Sequence, residues 1–493
     1  MTVDLILADA RVLTQDPARP RDTAVAVRGN RIAALGADAL ALRGPATRVV
    51  DAAGATVLPG FIESHLHVFP GGAGLTSQQL AGVHGLEQLT AVARAWATAH
   101  PDDRLIYGVQ ASYQILGDPP SRQLLDRVLP DRPFGIHAFD GHTVWANTRA
   151  LELAGLLHGK ELLPGNEIVM GADGLATGEL REPGAYSLLM AFLPSGGREK
   201  LGITTGRDPD PPTTPAQRAQ DRATIARGLA WCARHGVTSI HNMDGNPYQQ
   251  EILRELDDAG ELPCRSRVPF HLKNDMTLAD LEATAPAMRA RSRPDRVVCD
   301  FVKIFVDGVL DSTTAFMLDD YEGQPGNRGQ PLFTQAQIDA AVILADRLGF
   351  QVAVHSIGDA GVRRTLDAYA AARAANGPRD SRHRVEHIEV IDPADVPRFN
   401  ELGVVASMQP LHAPGPLSYP GHEMMALLGE RREPWTFAWR TLRDAGARLC
   451  FASDWPVSPV DPLHSIQAAL TRRPWRPGQP EQAQALDQVL AGY

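Results

Sequence analysis

The hydrophobic pattern of this chain changes character twice. Up to about Val57, apolar positions come in short or alternating runs: Val3–Leu7, Ala24–Val27, Ile32–Leu35, then Val49-Val50-Asp51 and Thr56-Val57. Alternation of this kind predicts half-buried strands, and Gly29-Asn30 between two of the runs is a hairpin signal. Residues 1–57 therefore predict a small β module. From 70 to 225 the pattern is irregular. Candidate strands at Leu105–Val109 and Phe134–Phe139 are mixed with helical segments, Gly71-Gly72-Ala73-Gly74 reads as a flexible loop, and Asp208-Pro209-Asp210-Pro211-Pro212 as a linker. A stretch this long is no plain connection, which predicts an inserted subdomain over 70–225.

Beyond it the pattern becomes regular. A helical segment from Ala216 to Arg234 leads into a strand at Val237–Met243. Further strands follow at Ser266–Leu272, Val297–Val306, Val352–His355, Arg384–Ile388, Val404–Met408 and Leu449–Ser453, most of them separated by helical patterns such as Thr334–Leu348 and Val362–Ala375. Alternating strand and helix predict a parallel sheet of the α/β class. With the apolar run Phe61–His67 counted first there are eight strands, the number that closes a (β/α)8 TIM-type barrel. The barrel would comprise 58–69 and 226–475, and 476–493 would be a helical tail. A doubly wound open sheet is the rival; it would bind its ligand at a switch point and needs no polar residues at so many strand ends.

Composition narrows the partners. A chain of 493 residues is too long for one simple core. Its hydrophobic fraction of 44% and charged fraction of 22% are those of a soluble globular protein. The net charge of -10, without a Lys/Arg block, argues against a nucleic acid or an anionic membrane. Met1-Thr2-Val3-Asp4-Leu5 does not open a secretory signal, and no run reaches transmembrane length. Cys232, Cys264, Cys299 and Cys450 stand far apart without a CxxC pair, which suits a reducing cytoplasm. A small-molecule partner is expected, with a homodimer as an open expectation.

The strand ends carry the chemistry. His65 and His67, two apart on one strand, project to the same face and form a half-site for a borderline metal, or alternatively a pair at a strand edge. The fourth strand holds a single cation, Lys303, among apolar neighbours. The fifth ends at His355, the sixth at Glu386-His387 and the eighth at Ser453-Asp454. Each alone has a structural explanation. Together they gather four histidines, a lysine and an aspartate on the rim where such a barrel carries function, and burying them unpaired would be costly.

This set, in this order, resembles the amidohydrolase superfamily, and more closely its YtcJ-like branch, amidohydrolase family 3, which includes N-substituted formamide deformylase. The resemblance runs through Asp9–Thr14, Leu58–His67, Asp140-Gly141-His142-Thr143-Val144-Trp145-Ala146-Asn147, Gly236–Ser239, Lys303–Thr314, His355–Asp359, Arg384–His387, Leu428–Arg431 and Ser453–Val457. It implies two divalent metal ions, zinc by default. His65, His67 and Asp454 would hold one and His355 and His387 the other, with Lys303 bridging as an N-carboxylated lysine; an unmodified Lys303 paired with Asp307 or Asp311 is the alternative. It further implies hydrolysis of an amide-type carbon–nitrogen bond (an N-substituted amide, formamide or cyclic amide) by metal-activated hydroxide. Asp454 would move the proton, and His142 would be a second oxyanion donor or else a loop-packing histidine. Trp145, Asn147 and Glu182 are pocket candidates, and Phe139, Trp145 and Phe316 would supply apolar walls. Ester, carbamate or lactone hydrolysis, or decarboxylation, on the same metals is the rival chemistry, and a non-catalytic metal-binding protein the rival class.

Two departures stand out. Glu63 occupies a position where the family usually has Asp. The resemblance also implies further helix and strands after Tyr493, completing the module begun by 1–57 as a β-sandwich. A half module would expose strand edges and lower solubility.

Overall fold

The computed structural model describes residues 2–117, 120–415 and 422–493. Two compact units divide between Phe61 and Ile62. In the first, Leu5–Ala8 lies between Val25–Arg28 (antiparallel) and Arg48–Asp51 (parallel), and Arg31–Leu35 adds the outer strand. The expected hairpin is present, with Gly29 at φ 58, a left-handed conformation that glycine adopts without a Cβ penalty. Arg11–Leu13, Arg21–Asp22 and Thr56–Val57 form a second, three-stranded sheet. Val3, Ile6, Ala24, Ala26 and Ala39 fill one small core and Ala10, Val12 and Val25 another.

The second unit is built on parallel strands, and all eight expected ones are present. Two are interrupted. The third splits into Arg265–Arg267 and Phe270–His271, because Pro269 has no N–H to give to the ladder. The fourth splits into Val297–Val298 and Phe301–Phe305. The breaks divide the strands between two sheets. One runs Val297–Val298, Arg265–Arg267, Val237–Asn242, Phe61–Leu66; the other runs Phe270–His271, Phe301–Phe305, Gln351–Ser356, Arg384–His387, Val405–Met408, Arg448–Phe451. The third and fourth strands stay paired on both sides of the breaks, through Val268 N to Val298 O (2.8 Å) and Leu272 N to Lys303 O (2.9 Å). Beyond the last strand, Asp454 N donates to His65 O (2.8 Å) and His67 N to Trp455 O (2.7 Å), joining the chain after Phe451 to the first strand. The fold is α/β. Helices Gln335–Arg347 and Asp359–Asn376 follow the fourth and fifth strands, and Thr334 and Gln337 form a capping box at the start of the former.

Residues 78–181 form their own six-stranded sheet, in the order Glu167–Met170, Ala176–Arg181, Thr143–Ala146, Phe134–Ala138, Ile106–Ala111, Gln78–Gln79. Trp145 lies in one apolar cluster on this sheet with Leu125, Phe134 and Ile136; Leu151, Leu180 and Leu189 belong to a second.

Two expectations are corrected. Gly71-Gly72-Ala73-Gly74 is not a flexible loop but part of the helix Val68–Gly74. Its glycines are there for close packing: a Cβ on Gly71 would fall 2.3 Å from the Trp455 ring, and one on Gly72 would fall 2.2 Å from Thr224 O on the helix Pro215–Arg234. After Thr471 the tail is mostly without regular secondary structure, with helix confined to Leu486–Leu490. Among the described residues no helix is long and apolar enough to cross a membrane.

Candidate metal centre

The strand Phe301–Phe305 is buried along its whole length, so Lys303 has no route to solvent. Its Nζ has no hydrogen-bond partner, and the alternative ion pair with Asp307 or Asp311 is not formed. The Asp307 carboxylate instead accepts backbone N–H groups from Phe316 (2.9 Å), Ile357 (3.1 Å) and Gly358 (2.9 Å). Burial pushes the Lys303 ammonium down to about 8, against the opposing pull of the Glu386 and Asp454 carboxylates, neither of which it contacts. The register sets Lys303 opposite Ala353, two residues before His355 on the neighbouring strand, and its charge is felt at His65, His355 and His387.

His65, His387 and Asp454 each present one ligand atom, all within 4.8 Å of one another. Asp454 Oδ1 lies 3.4 Å from His65 Nε2 and 3.2 Å from His67 Nε2. His387 packs against His65 (ring centroids 4.8 Å apart) and His355 (4.4 Å). His387 Nδ1 and Asp454 Oδ1 are buried without a hydrogen-bond partner. Both residues have left-handed backbone, with φ 77 and 58. That geometry costs on the order of 1–3 kcal/mol at a non-glycine residue and tends to persist at functional sites. The five predicted strand-end ligands and Lys303 thus converge on one buried locus.

Three of the four histidines are steered from behind. His65 Nδ1–H donates to Glu386 Oε2 (2.7 Å), and Arg384 clamps Glu386 through Nε (2.7 Å) and Nη2 (2.9 Å). His67 Nδ1–H donates to Asp244 (3.0 Å), which Gln249 holds through Nε2 (2.9 Å). His355 Nε2–H donates to Gly308 O (3.0 Å). A carboxylate or carbonyl only accepts, so each contact fixes the tautomer and leaves the opposite ring nitrogen as a lone pair facing the centre. Burial lowers His65 to about 4 and holds His355 and His387 well below the usual imidazole range. Burial also opposes the charged forms of His67 and Asp454, yet they stabilise each other: His67 is raised by Asp244 and Asp454, and Asp454 is lowered by His65 and His67. Neutral His65, His355 and His387 and an ionised Asp454 are in the protonation states that bind a divalent cation, whereas His67 would release its Nε2 proton on binding one.

His142 stands beside this set, its ring 5.7 Å from that of His355. Its Nδ1–H donates to Glu182 Oε2 (2.7 Å), and Thr314 Oγ1 donates to Glu182 Oε1 (2.6 Å). Burial opposes the imidazolium, but the Glu182 carboxylate outweighs it and raises His142 to about 9. Glu182 is thus the hydrogen-bonded partner of His142. Trp145 and Asn147 are not at the site. Trp145 is in the core of the 78–181 sheet, and Asn147 caps the helix Thr148–Ala154, its side chain spent on Phe134 N, Ala150 N, Leu129 O and Arg132 O. Glu63, in the family's usual Asp position, accepts from Ser453 N (2.8 Å), tying the last-strand loop to the first strand.

A cavity of ≈ 790 Å³ opens onto the centre, lined by His65, His67, His142, His355, His387 and Asp454 together with residues of the 70–225 region, Phe139 among them but neither Trp145 nor Phe316. A second cavity of ≈ 40 Å³ is bounded by Asp140, Asp311, Glu389 and His412 as well as the central histidines. Glu389 and His412 form a further ligand-like group with His387. Sequence reasoning missed these two and the steering carboxylates Asp244 and Glu386. His412, in Met408-Gln409-Pro410-Leu411-His412, comes just after the seventh strand, as His67 and Asp454 come just after theirs, which is the signal that could have found it.

The profile described as "Amidohydrolase family" matches residues 48–493. N-substituted formamide deformylase of Arthrobacter pascens is 27% identical, the match covering 99% of this chain and 88% of that protein. The putative amidohydrolase YtcJ of Bacillus subtilis (strain 168) is 26% identical over 87% of this chain and 76% of its own. A solved structure of an uncharacterized metal-dependent hydrolase from Pyrococcus furiosus superimposes with a TM-score of 0.71 at 25% identity, covering 98% of this chain and 92% of that one. The chain belongs to the amidohydrolase family.

Proposed function

We propose that the protein is a metal-dependent hydrolase that cleaves the carbon–nitrogen bond of an amide-type small molecule: an N-substituted amide, a formamide or a cyclic amide. The observation that carries this reading is the buried, unpartnered Lys303 amine set among His65, His355, His387 and Asp454. A free ammonium there has no compensating partner, whereas its carbamate would be an anionic oxygen ligand suited to two dications. The donor set fits: His65, His67 and Asp454 would hold one divalent ion, His355 and His387 the second, and carboxylated Lys303 would bridge them. Imidazole and carboxylate donors suit zinc. When bound, the ions would lower the pKa of water and polarise the scissile carbonyl.

The chain's own residues supply the rest. Asp454 accepts the proton of the attacking water and delivers it to the leaving nitrogen. His142, kept protonated by Glu182, donates a hydrogen bond to the carbonyl oxygen as charge develops on it. The eight strands close into a (β/α)8 barrel, a reading supported by the pairing of the third and fourth strands on both sides of their breaks and by the hydrogen bonds between the first strand and the chain just after the last. The 70–225 region acts as the inserted cover, supported by its share of the cavity lining. The name of the Arthrobacter relative supports a formamide among the substrates.

Elemental analysis of protein purified without added metal, with intact mass before and after acid, tests this. Two ions per chain and an acid-labile mass the size of carbon dioxide are expected. One ion or none, with Lys303 unmodified, would overturn the bridged site.

A further inference from the structure

Lys200 is the only lysine or arginine among the residues described as lining the ≈ 790 Å³ cavity. Its side chain is half-buried, and among the described residues its ammonium makes no hydrogen bond or ion pair. The cavity wall it shares includes Leu105, Val109, Met190, Leu193 and Ile203. Glu199, Asp244 and Asp454 stabilise the ammonium only at a distance, burial still lowers its pKa, and a ligand anion in direct contact would offset that cost. The lysine is also held in place: two residues earlier, Arg198 makes a buried bidentate pair with Asp221 (2.7 and 2.9 Å), and Tyr248 Oη donates to the same carboxylate (2.7 Å).

We propose that Lys200 anchors a carboxylate of the substrate, so that the amide cleaved is one carrying a free acid, as in an N-acylated amino acid. This rests on the hydrolase reading above and narrows it. Two further residues of the same wall supply unused hydrogen-bonding atoms. Tyr107 and His137 are both more than nine-tenths buried, their rings lie 5.9 Å apart, and the Tyr107 hydroxyl and His137 Nε2 have no partner. His137 is close enough to Lys200 that the ammonium helps to hold its pKa down. Lys200 in turn feels Asp454, which puts the anchor within electrostatic reach of the proposed reaction centre. The ligand charge should be single. Glu199 is adjacent, Asp103 and Asp140 also line the cavity, and one ammonium cannot offset a dianion among them.

The test uses the metal-loaded protein and two amides of one skeleton, N-formylphenylalanine and N-formyl-2-phenylethylamine, which lacks the carboxylate. Wild-type protein should favour the acid. Lys200→Met should lower the ratio of the two kcat/KM values by roughly 10- to 100-fold, mostly through KM, as expected for losing a charge-assisted contact. Lys200→Arg should recover part of the ratio. A wild-type preference for the neutral amide, or a Lys200→Met effect equal on both, would overturn the proposal. Calorimetric binding of 3-phenylpropionate against 3-phenylpropanol separates the two readings. If neither amide is hydrolysed but Lys200→Met selectively weakens 3-phenylpropionate, the anchor stands and the hydrolase reading falls; equal binding by wild type and Lys200→Met overturns the anchor.

Discussion

His65 Nδ1 lies 2.7 Å from Oε2 of Glu386, the residue immediately before His387, so one short strand both steers the first-strand histidine and presents its own. Arg384 on the same strand clamps the same carboxylate. Replacing Glu386 with glutamine removes the charge that fixes the His65 tautomer. Glu386→Gln should weaken metal binding by roughly 10- to 100-fold, measured by competition with a chromophoric chelator. Unchanged affinity would show that His65 is oriented by packing alone.

Lys303 offers the opposite sign. In metal-free protein its amine is buried and unpartnered, so a methionine of similar length removes a desolvated charge rather than a contact. Lys303→Met should leave the melting temperature of the apo protein equal or higher, while the bridged pair of metal ions and the hydrolase activity are lost. A clear fall in apo stability would mean that the amine has a partner in solution.

His142 predicts a basic limb in the activity. Its folded pKa of about 9 exceeds the ordinary 6.5, so it is an imidazolium through neutral pH and loses its proton as pH rises through about 9. The stability it contributes with Glu182 is complete below about 6.5 and is lost over the same rise. kcat/KM should therefore fall above about pH 9, and His142→Asn, slower at neutral pH, should lack that limb. A limb that persists in the variant belongs to another group.

The Arg198–Asp221 pair is buried on both sides. Asp221→Ala would strand the guanidinium and the Tyr248 hydroxyl in the interior. Destabilisation of about 3–5 kcal/mol is expected, read from the urea midpoint of the metal-free protein. A loss below about 1 kcal/mol would mean that water reaches Arg198 in the variant.

Much of the parallel architecture was legible because it depends on local pattern. A strand buried on both faces must be continuously apolar, and a polar residue that breaks such a run, such as Lys303, or ends it, such as His355 or His387, advertises itself. The six proposed ligands were found this way, together with a resemblance that fixed their order. Pattern also misled where packing rules. The 71–74 glycines look like a loop, yet they lie in a helix, and at Gly71 and Gly72 the close approach of Trp455 and Thr224 leaves no room for a Cβ. Trp145 and Asn147 lie in a motif beside His142 but point into the core of their own sheet.

The sequence by itself determined which residues alternate, cap and run apolar, and so the strands, the helices and the chemical types at the strand ends, since these follow from interactions within a few residues. Only the tertiary structure decided that Glu386 serves His65 and Asp244 serves His67, that Glu182 keeps a proton on His142, that His412 joins His387, and that Lys200 faces the cavity without a partner. Those are relations between segments tens to hundreds of residues apart. They arise when packing brings distant side chains within hydrogen-bonding distance, and no local pattern encodes that distance.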